Sequence, residues 1–451
     1  MSISWRTPFS TRRIYVGRLL LFLAALGVLV YGCHGGQPEK LVIFVSGDSR
    51  GYLEPCGCRR DQAGGLPSRA RAIREAPADQ RLVFDVGDMT SGTRDYELLK
   101  LKYLMSGMTM IGYDGVNLGE KEAELDVDKL REVLKSSPLP FVSANVVTKK
   151  DHTPLTEPFR IIKRGGVNVG VIGVTSCRPE DAGPGVEVRP VLETLAEVVP
   201  QVKAKCDYLV VLAFCDDDTM KEIAGKYPEV DCILGGDVQQ SSGAVAHVNR
   251  AAIFSVTDKG KVLGRLDLAA KSGSYSVVAS KGIRMAADKV APPQEIGALL
   301  ANFKNELRDR RYELASVEGM ERIDSSSGTA NEFVGDKACI SCHAAAHQTW
   351  AASAHSHAFA TLKKVNSEFD PDCIHCHSVG YGLSSGFIDE TKTPQLANVQ
   401  CESCHGRGKD HIATKTRTSL KPVTPASCVK CHDTENSENF SYAKFWAQIA
   451  H

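Results

Sequence analysis

Cys339-Ile340-Ser341-Cys342-His343, Cys373-Ile374-His375-Cys376-His377, Cys401-Glu402-Ser403-Cys404-His405 and Cys428-Val429-Lys430-Cys431-His432 are four copies of one pattern, C-x-x-C-H, within fewer than a hundred residues. Two thiols three positions apart can each add to one vinyl group of a haem. The histidine that follows then lies under the iron as its proximal ligand. The four pairs therefore read as covalent haem c sites, with His343, His377, His405 and His432 on the irons. Zinc ribbons and disulfides also use paired cysteines, but neither requires a histidine after every pair. Covalent tethering holds a cofactor where the protein offers little core. Residues 331–451 are accordingly expected to form a mainly helical, loop-rich tetrahaem cytochrome c domain.

Eight of the fifteen cysteines follow Lys337, and ten of the thirteen histidines lie beyond Val334. Four irons also need groups on their far sides. His355, His357 and His411 are the candidate distal ligands. His347 lies one helical turn after His343 and cannot reach the opposite face of the same iron. His375 sits inside an attachment loop, and His451 is a weaker candidate. Each also has a plain reading as a surface or packing histidine. No histidine lies between His377 and His405, so the haem on Cys373 and Cys376 is the one expected to keep an open side.

Upstream, the chain changes character. Arg12, Arg13 and Arg18 precede an apolar run from Leu19 to Val30, then Tyr31-Gly32-Cys33. The run falls short of the ~20 residues that span a bilayer, so residues 1–33 read as a signal peptide. A small residue before Cys33 resembles a lipobox, which implies a lipid anchor on that cysteine; the alternative is a plain signal peptide. Ser10-Thr11-Arg12-Arg13 also resembles a twin-arginine signal, a reading set aside because haem is attached to unfolded chains after export. The expected location is periplasmic or at the cell surface. The 54 basic and 54 acidic residues balance, which gives no electrostatic footprint for nucleic acid.

Residues 40–280 alternate short apolar runs with longer charged segments. Leu41 to Val45, Leu82 to Phe84, Val167 to Val174, Tyr208 to Leu212, Cys232 to Leu234 and Ile253 to Val256 suit strands buried on both faces. An α/β domain of sheets covered by helices is expected. Ala291-Pro292-Pro293 breaks the pattern. Beyond it Ile296, Leu299, Leu300, Phe303, Leu307 and Leu314 recur at helical spacing, a packing or spacer helix, and Ser325 to Gly328 reads as a flexible joint. Residues 291–330 are thus assigned to a linker.

The C-terminal stretch resembles the cytochrome c-554 family of multihaem cytochromes. "FVGDKACISCH" from Phe333, Trp350 with "SAHSHA", "CIHCHSVGYG" and "VQCESCHGRGKDH" carry the likeness, over about a quarter of the chain. It implies packed haems in a relay, with distal ligation from the His355 region and from His411.

The front region resembles the calcineurin-like metallophosphoesterase fold of the 5'-nucleotidase type, on "VSGDSRGYLEPCGC", "LVFDVGDMTSG", "GYDGVNLGEKE", "FVSANV" and "DCILGGD". That family holds two metal ions at strand ends, where they activate water and clamp a phosphate ester. Here the pattern is broken. Asp-x-His is Asp48-Ser49-Arg50, Gly-Asn-His-Glu is Gly119-Glu120-Lys121-Glu122, and the late histidine loop is Gly235-Gly236-Asp237. Arg50 and Lys121 repel a cation rather than ligate one, so the scaffold reads as a degenerate phosphoesterase and no catalytic residue is assigned. Asp48, Asp88, Glu120, Asp216 and Asp237 form either an acidic cleft for one ion or a set of solvated carboxylates. Cys56-Gly57-Cys58 suits a strained disulfide, a metal site or a subfamily mark.

The expected function is an exported multihaem electron carrier with redox protein partners, its front domain a binding or docking module. Two alternatives stand beside it: a working phosphoesterase with an attached haem domain, and a haem redox enzyme acting on a small nitrogen or sulfur compound.

Overall fold

The computed structural model describes residues 1–2, 40–55, 62–257, 259–271, 274–287, 290–311, 331–433, 436–437 and 439–451. Cys33, Cys56 and Cys58 lie outside the described residues, and the readings made on them rest on sequence alone.

The run from Leu41 to Val45 is apolar at every position because both its faces are covered. Leu41, Ile43 and Val45 point to one buried layer, Val42 and Phe44 to another, as alternate residues of a strand must. This strand, β1 (Leu41–Ser46), runs parallel to β2 (Arg81–Asp85), which pairs with β3 (Gly115–Val116). On its other side β1 is antiparallel to β12 (Val262–Lys271), with β13 (Ser274–Arg284) at the edge. A second sheet has the order β10 (Ala246–Val248), β11 (Ala251–Ser255), β9 (Cys232–Gly236), β8 (Tyr208–Phe214), β6 (Val167–Thr175), β5 (Phe159–Arg164). A small ladder joins β4 (Val146–Thr148) to β7 (Val186–Val188).

The two large sheets face each other across Ile43, Phe84, Val171, Val210, Leu234 and Leu266. Helices cover the outer faces. The first sheet packs against α1 (Leu66–Arg74), α2 (Asp95–Ile111) and a later helix, α7 (Gln294–Arg310). Two short helices, α3 (Glu120–Ala123) and α4 (Val127–Lys135), follow β3. The second sheet packs against α5 (Val191–Lys203) and α6 (Asp217–Lys226). The strands foreseen from the apolar runs are present, and the domain is an α/β sandwich of sheets covered by helices.

The helix beyond Pro293 is α7 (Gln294–Arg310). Its apolar stripe of Ile296, Leu299, Leu300, Phe303 and Leu307 is buried against α2, with Phe303 5.3 Å from the Tyr103 ring. The helix is therefore part of the front core rather than a free spacer.

Parallel strands β1, β2, β3, β8 and β9 end on one rim, where ligands of open α/β sheets characteristically bind. Glu122 ties two of these loops together. Its side chain is buried and accepts the N–H groups of Asp88 (2.9 Å), Thr90 (2.9 Å) and Gly119 (2.8 Å). Burial pushes its carboxyl up to about 7, against the N–H donors, which favour the charged form. Gly87 has φ +112°, and a Cβ there would lie 2.4 Å from Gly119 N. This close loop crossing therefore needs glycine.

The C-terminal region has short helices: α8 (Ala344–Ala351), α9 (Ala358–Lys363), α10 (Pro371–His377), α11 (Cys401–His405), α12 (Lys409–Thr414), α13 (Pro425–Cys428) and α14 (Tyr442–Trp446). Its core is small: Phe359, Leu362, Ile374, Val379, Tyr381, Phe387 and Leu396, completed by Tyr96 from α2. Ile340, Val365, Ile412, Val429 and Phe445 remain exposed. So thin a core cannot offset the ordering of such a long stretch, as expected where bound cofactor supplies the missing apolar mass.

Two substitutions test this packing. Phe303→Ala is expected to destabilise the front domain by about 3–5 kcal/mol, read as a lower midpoint in urea unfolding. Glu122→Ala strands buried N–H donors at roughly 1–3 kcal/mol each and is expected to lower the same midpoint at least as far. An unchanged midpoint in either variant contradicts the packing described.

Candidate functional site

The four C-x-x-C-H segments each begin as a helical turn, which brings the following histidine under its own cysteines. In the first, the N–H groups of Cys342 and His343 both donate to the Cys339 carbonyl. In the fourth, those of Cys431 and His432 do the same to Cys428.

Three proximal histidines face a second imidazole. His343 and His411 have ring centroids 5.9 Å apart, His355 and His432 6.1 Å, and His405 and His451 6.1 Å. A metal bonded at ~2 Å to one nitrogen of each ring fits that spacing. Four of these six rings are held at Nδ1. Nδ1 of His411 bonds the Thr416 carbonyl at 3.0 Å, Nδ1 of His405 that of Lys421 at 3.3 Å, and Nδ1 of His451 that of Ile449 at 2.9 Å. Nδ1 of His432 meets Ser437 Oγ at 2.9 Å. A ring held at Nδ1 offers Nε2 to a metal, the usual arrangement of ligating histidines. The side chains present thus fit haem.

His377 has the same preparation, its Nδ1 donating to the Ala358 carbonyl at 2.7 Å. Among the described residues no imidazole ring is paired with it as in the other three. His357 is likewise not paired with a proximal histidine. His347 uses Nε2 to bond Asp336 Oδ2 at 2.8 Å, which serves structure rather than iron. Burial and the nearby His432 and His377 hold the His355 imidazole below its ordinary value.

The pair His343–His411 is set by a second buried glutamate. Glu402, inside the third motif, accepts the N–H groups of Val334 (3.0 Å), Gly335 (2.8 Å) and Gly408 (2.7 Å). It thereby fixes the segment before the first motif against the segment before His411. Trp350 donates Nε1 to Val399 O at 2.7 Å, and Val399 N donates to His355 O at 3.2 Å. These bonds place His355.

One clamp joins the two domains at the second motif. Lys100 of α2 is buried, with Nζ 2.8 Å from Asp370 Oδ1 and 2.6 Å from Asp372 Oδ2. Desolvation works against its charge, but the two carboxylates more than offset this and raise its pKa. Tyr96 OH donates to Asp372 Oδ1 at 3.2 Å. Lys304 of α7 reaches both Glu54 (2.8 Å) and the Val365 carbonyl (2.8 Å).

The front rim brings Asp48, Asp88, Glu120, Asp216 and Asp237 into electrostatic range of one another. Most are already engaged. Asp48 pairs with Arg50 at 2.5 Å and accepts from Thr257 Oγ1 at 2.9 Å. Asp88 accepts Lys121 N at 2.9 Å, and Asp216 caps α6 through Thr219 N at 2.7 Å. Burial, then Glu120, Asp216 and Asp48, raises the Asp237 pKa. Asp48, Arg50, Asp88 and Asp237 all have left-handed backbone, with φ between 42° and 58°. Among the described residues no group of His, Cys, Asp and Glu is arranged to hold a metal ion.

Sequence reasoning ranked His451 low, and no local pattern marks it. The available signal was arithmetic: four irons require more imidazoles than the motifs supply.

Comparison with known proteins gives the two halves separately. The family described as cytochrome c554 and c-prime matches residues 338–406. Cytochrome c-554 of Nitrosomonas europaea is 39% identical over 93 residues, covering 17% of this chain and 40% of that protein. The 5'-nucleotidase of Vibrio cholerae is 30% identical over 146 residues, covering 31% of this chain and 26% of that protein. The crystal structure of a 5'-nucleotidase precursor from Thermus thermophilus superposes with a TM-score of 0.52 at 21% identity, over 60% of this chain and 59% of the other. The chain spans less than half the length of these curated relatives. No helix among the described residues is long and apolar enough to cross a membrane. The chain thus joins a C-terminal region that matches the cytochrome c554 family over residues 338–406 to an α/β domain with the 5'-nucleotidase fold.

Proposed function

We propose that this protein is an exported tetrahaem c-type cytochrome that carries electrons, with the front domain as a docking module in place of an active phosphoesterase. Three facing imidazole pairs, 5.9 to 6.1 Å apart, carry the reading. When bound, haem c supplies one-electron chemistry, tuned by axial ligands and burial. The chain's own residues then have separable tasks. Cys339, Cys342, Cys373, Cys376, Cys401, Cys404, Cys428 and Cys431 tether. His343, His377, His405 and His432 would ligate as the motif histidines, with His411, His451 and His355 as the second ligands for His343, His405 and His432. The carbonyls of Thr416, Ile449, Lys421 and Ala358 fix ring orientation.

The N-terminal sequence supports export and a lipid anchor on Cys33, and redox proteins are the partners proposed. In the front domain, Arg50 sits on Asp48 where a metal-binding site needs a free carboxylate. That ion pair supports loss of two-metal hydrolysis. A second reading, a haem enzyme for a small nitrogen or sulfur compound, draws on His377, whose iron would keep an open side.

Protein matured in a host that makes c-type cytochromes is expected to exceed its polypeptide mass by four haems. Three irons should be low-spin and one high-spin, and carbon monoxide should shift the spectrum of that one alone. His451→Ala should convert a second iron to high spin and leave two low-spin. A mass equal to the bare polypeptide, or four low-spin irons, overturns the assignment.

A further inference from the structure

The helix that carries Cys373, Cys376 and His377 is not held by the C-terminal domain alone. Its cap residue Asp370 and first-turn residue Asp372 are both bound by α2, some 270 residues earlier in the chain. Asp370 has a double task. Its Oδ1 accepts from Lys100 Nζ at 2.8 Å and from Asp372 N at 3.1 Å, while its carbonyl accepts the N–H groups of Cys373 and Ile374 at 3.0 Å. The group that meets Lys100 is therefore the group that sets the turn containing Cys373. Tyr96 is 3% exposed and packs into the same core as Ile374, with Cys373 at its margin.

Surface lysine–aspartate pairs contribute little. Here the Lys100 side chain is 7% exposed and its ammonium meets two carboxylates. Losing it would leave two uncompensated negative charges, Asp370 at 16% and Asp372 at 41% exposure, beside a haem-attachment cysteine. Negative charge near a haem favours its oxidised form, the more so as the local dielectric falls. Other charges face the same turn: Arg94 acts on Asp372 and His375, and Lys430 acts on His375.

We propose that Lys100 and Tyr96 are positioning residues for the His377 haem site, holding the acidic cap of its attachment helix so that the front domain sets the reduction potential of that one haem. The inference rests on the tetrahaem reading above and gives the front domain a task inside its own chain: it supplies a wall and a counter-charge to the haem with the open side.

The test is a redox titration of the full-length holoprotein, with each haem followed by visible and paramagnetic resonance spectra. Lys100→Met should shift one haem, the high-spin one, to lower potential and leave three unmoved. Asp372→Asn should shift the same haem upward. The double variant should return it close to the wild-type value, and Lys100→Arg should stay near wild type. If Lys100→Met does not accumulate, Asp372→Asn carries the test with the opposite sign. Four unmoved potentials, or four that move together, overturn the proposal. Haem mass on the same samples separates the two failures. Wild type without haem on Cys373 and Cys376 sinks the tetrahaem reading, whereas four haems with unmoved potentials sink only the clamp.

Discussion

Glu402 accepts the N–H groups of Gly335 and Gly408 at 2.8 and 2.7 Å, and those bonds bring together the segments that carry His343 and His411. Glu122 does the same work in the front domain, gathering Asp88, Thr90 and Gly119. Both are buried carboxylates whose partners here are main-chain donors. A buried backbone N–H left unmatched is costly, so each glutamate converts several such costs into one fixed loop crossing. The rest of each functional region depends on this. Imidazoles can face each other at about 6 Å only if the loops bearing them are held to a fraction of that distance.

The two halves of the molecule solve stability differently. The front sandwich buries side chains on both faces of both sheets, and its strands could be read directly from continuous apolar runs such as Leu41 to Val45. The C-terminal region buries few, and its helices are too short to persist alone. Tyr96 shows the consequence: a front-domain residue serves as core for the haem-binding region. A docked domain therefore does more than sit beside its neighbour.

What could be read in the sequence follows from how local each feature is. The C-x-x-C-H motifs are five residues long and declare themselves. The strand-end loops are nearly as local, since glycine and aspartate after a β-branched run mark the rim. Arg50 could be read as a cation in the first of these loops, but not its pairing with Asp48. Imidazole pairing is different. His451 meets His405 through the path of the last fifty residues, and nothing around His451 encodes that path. Lys100 looks like any solvated position on an amphipathic helix, and its burial arises when a second domain covers it. The α7 stripe predicts a helix but not its partner, which is α2.

Asp48, Arg50, Asp88 and Asp237 keep left-handed backbone at the strand ends. Non-glycine residues held there cost of order 1–3 kcal/mol each, and a plain surface connection would have no reason to retain them. The strand ends thus carry a backbone cost that the two sheets beneath them must absorb, which makes the rim the most strained edge of an otherwise relaxed sandwich.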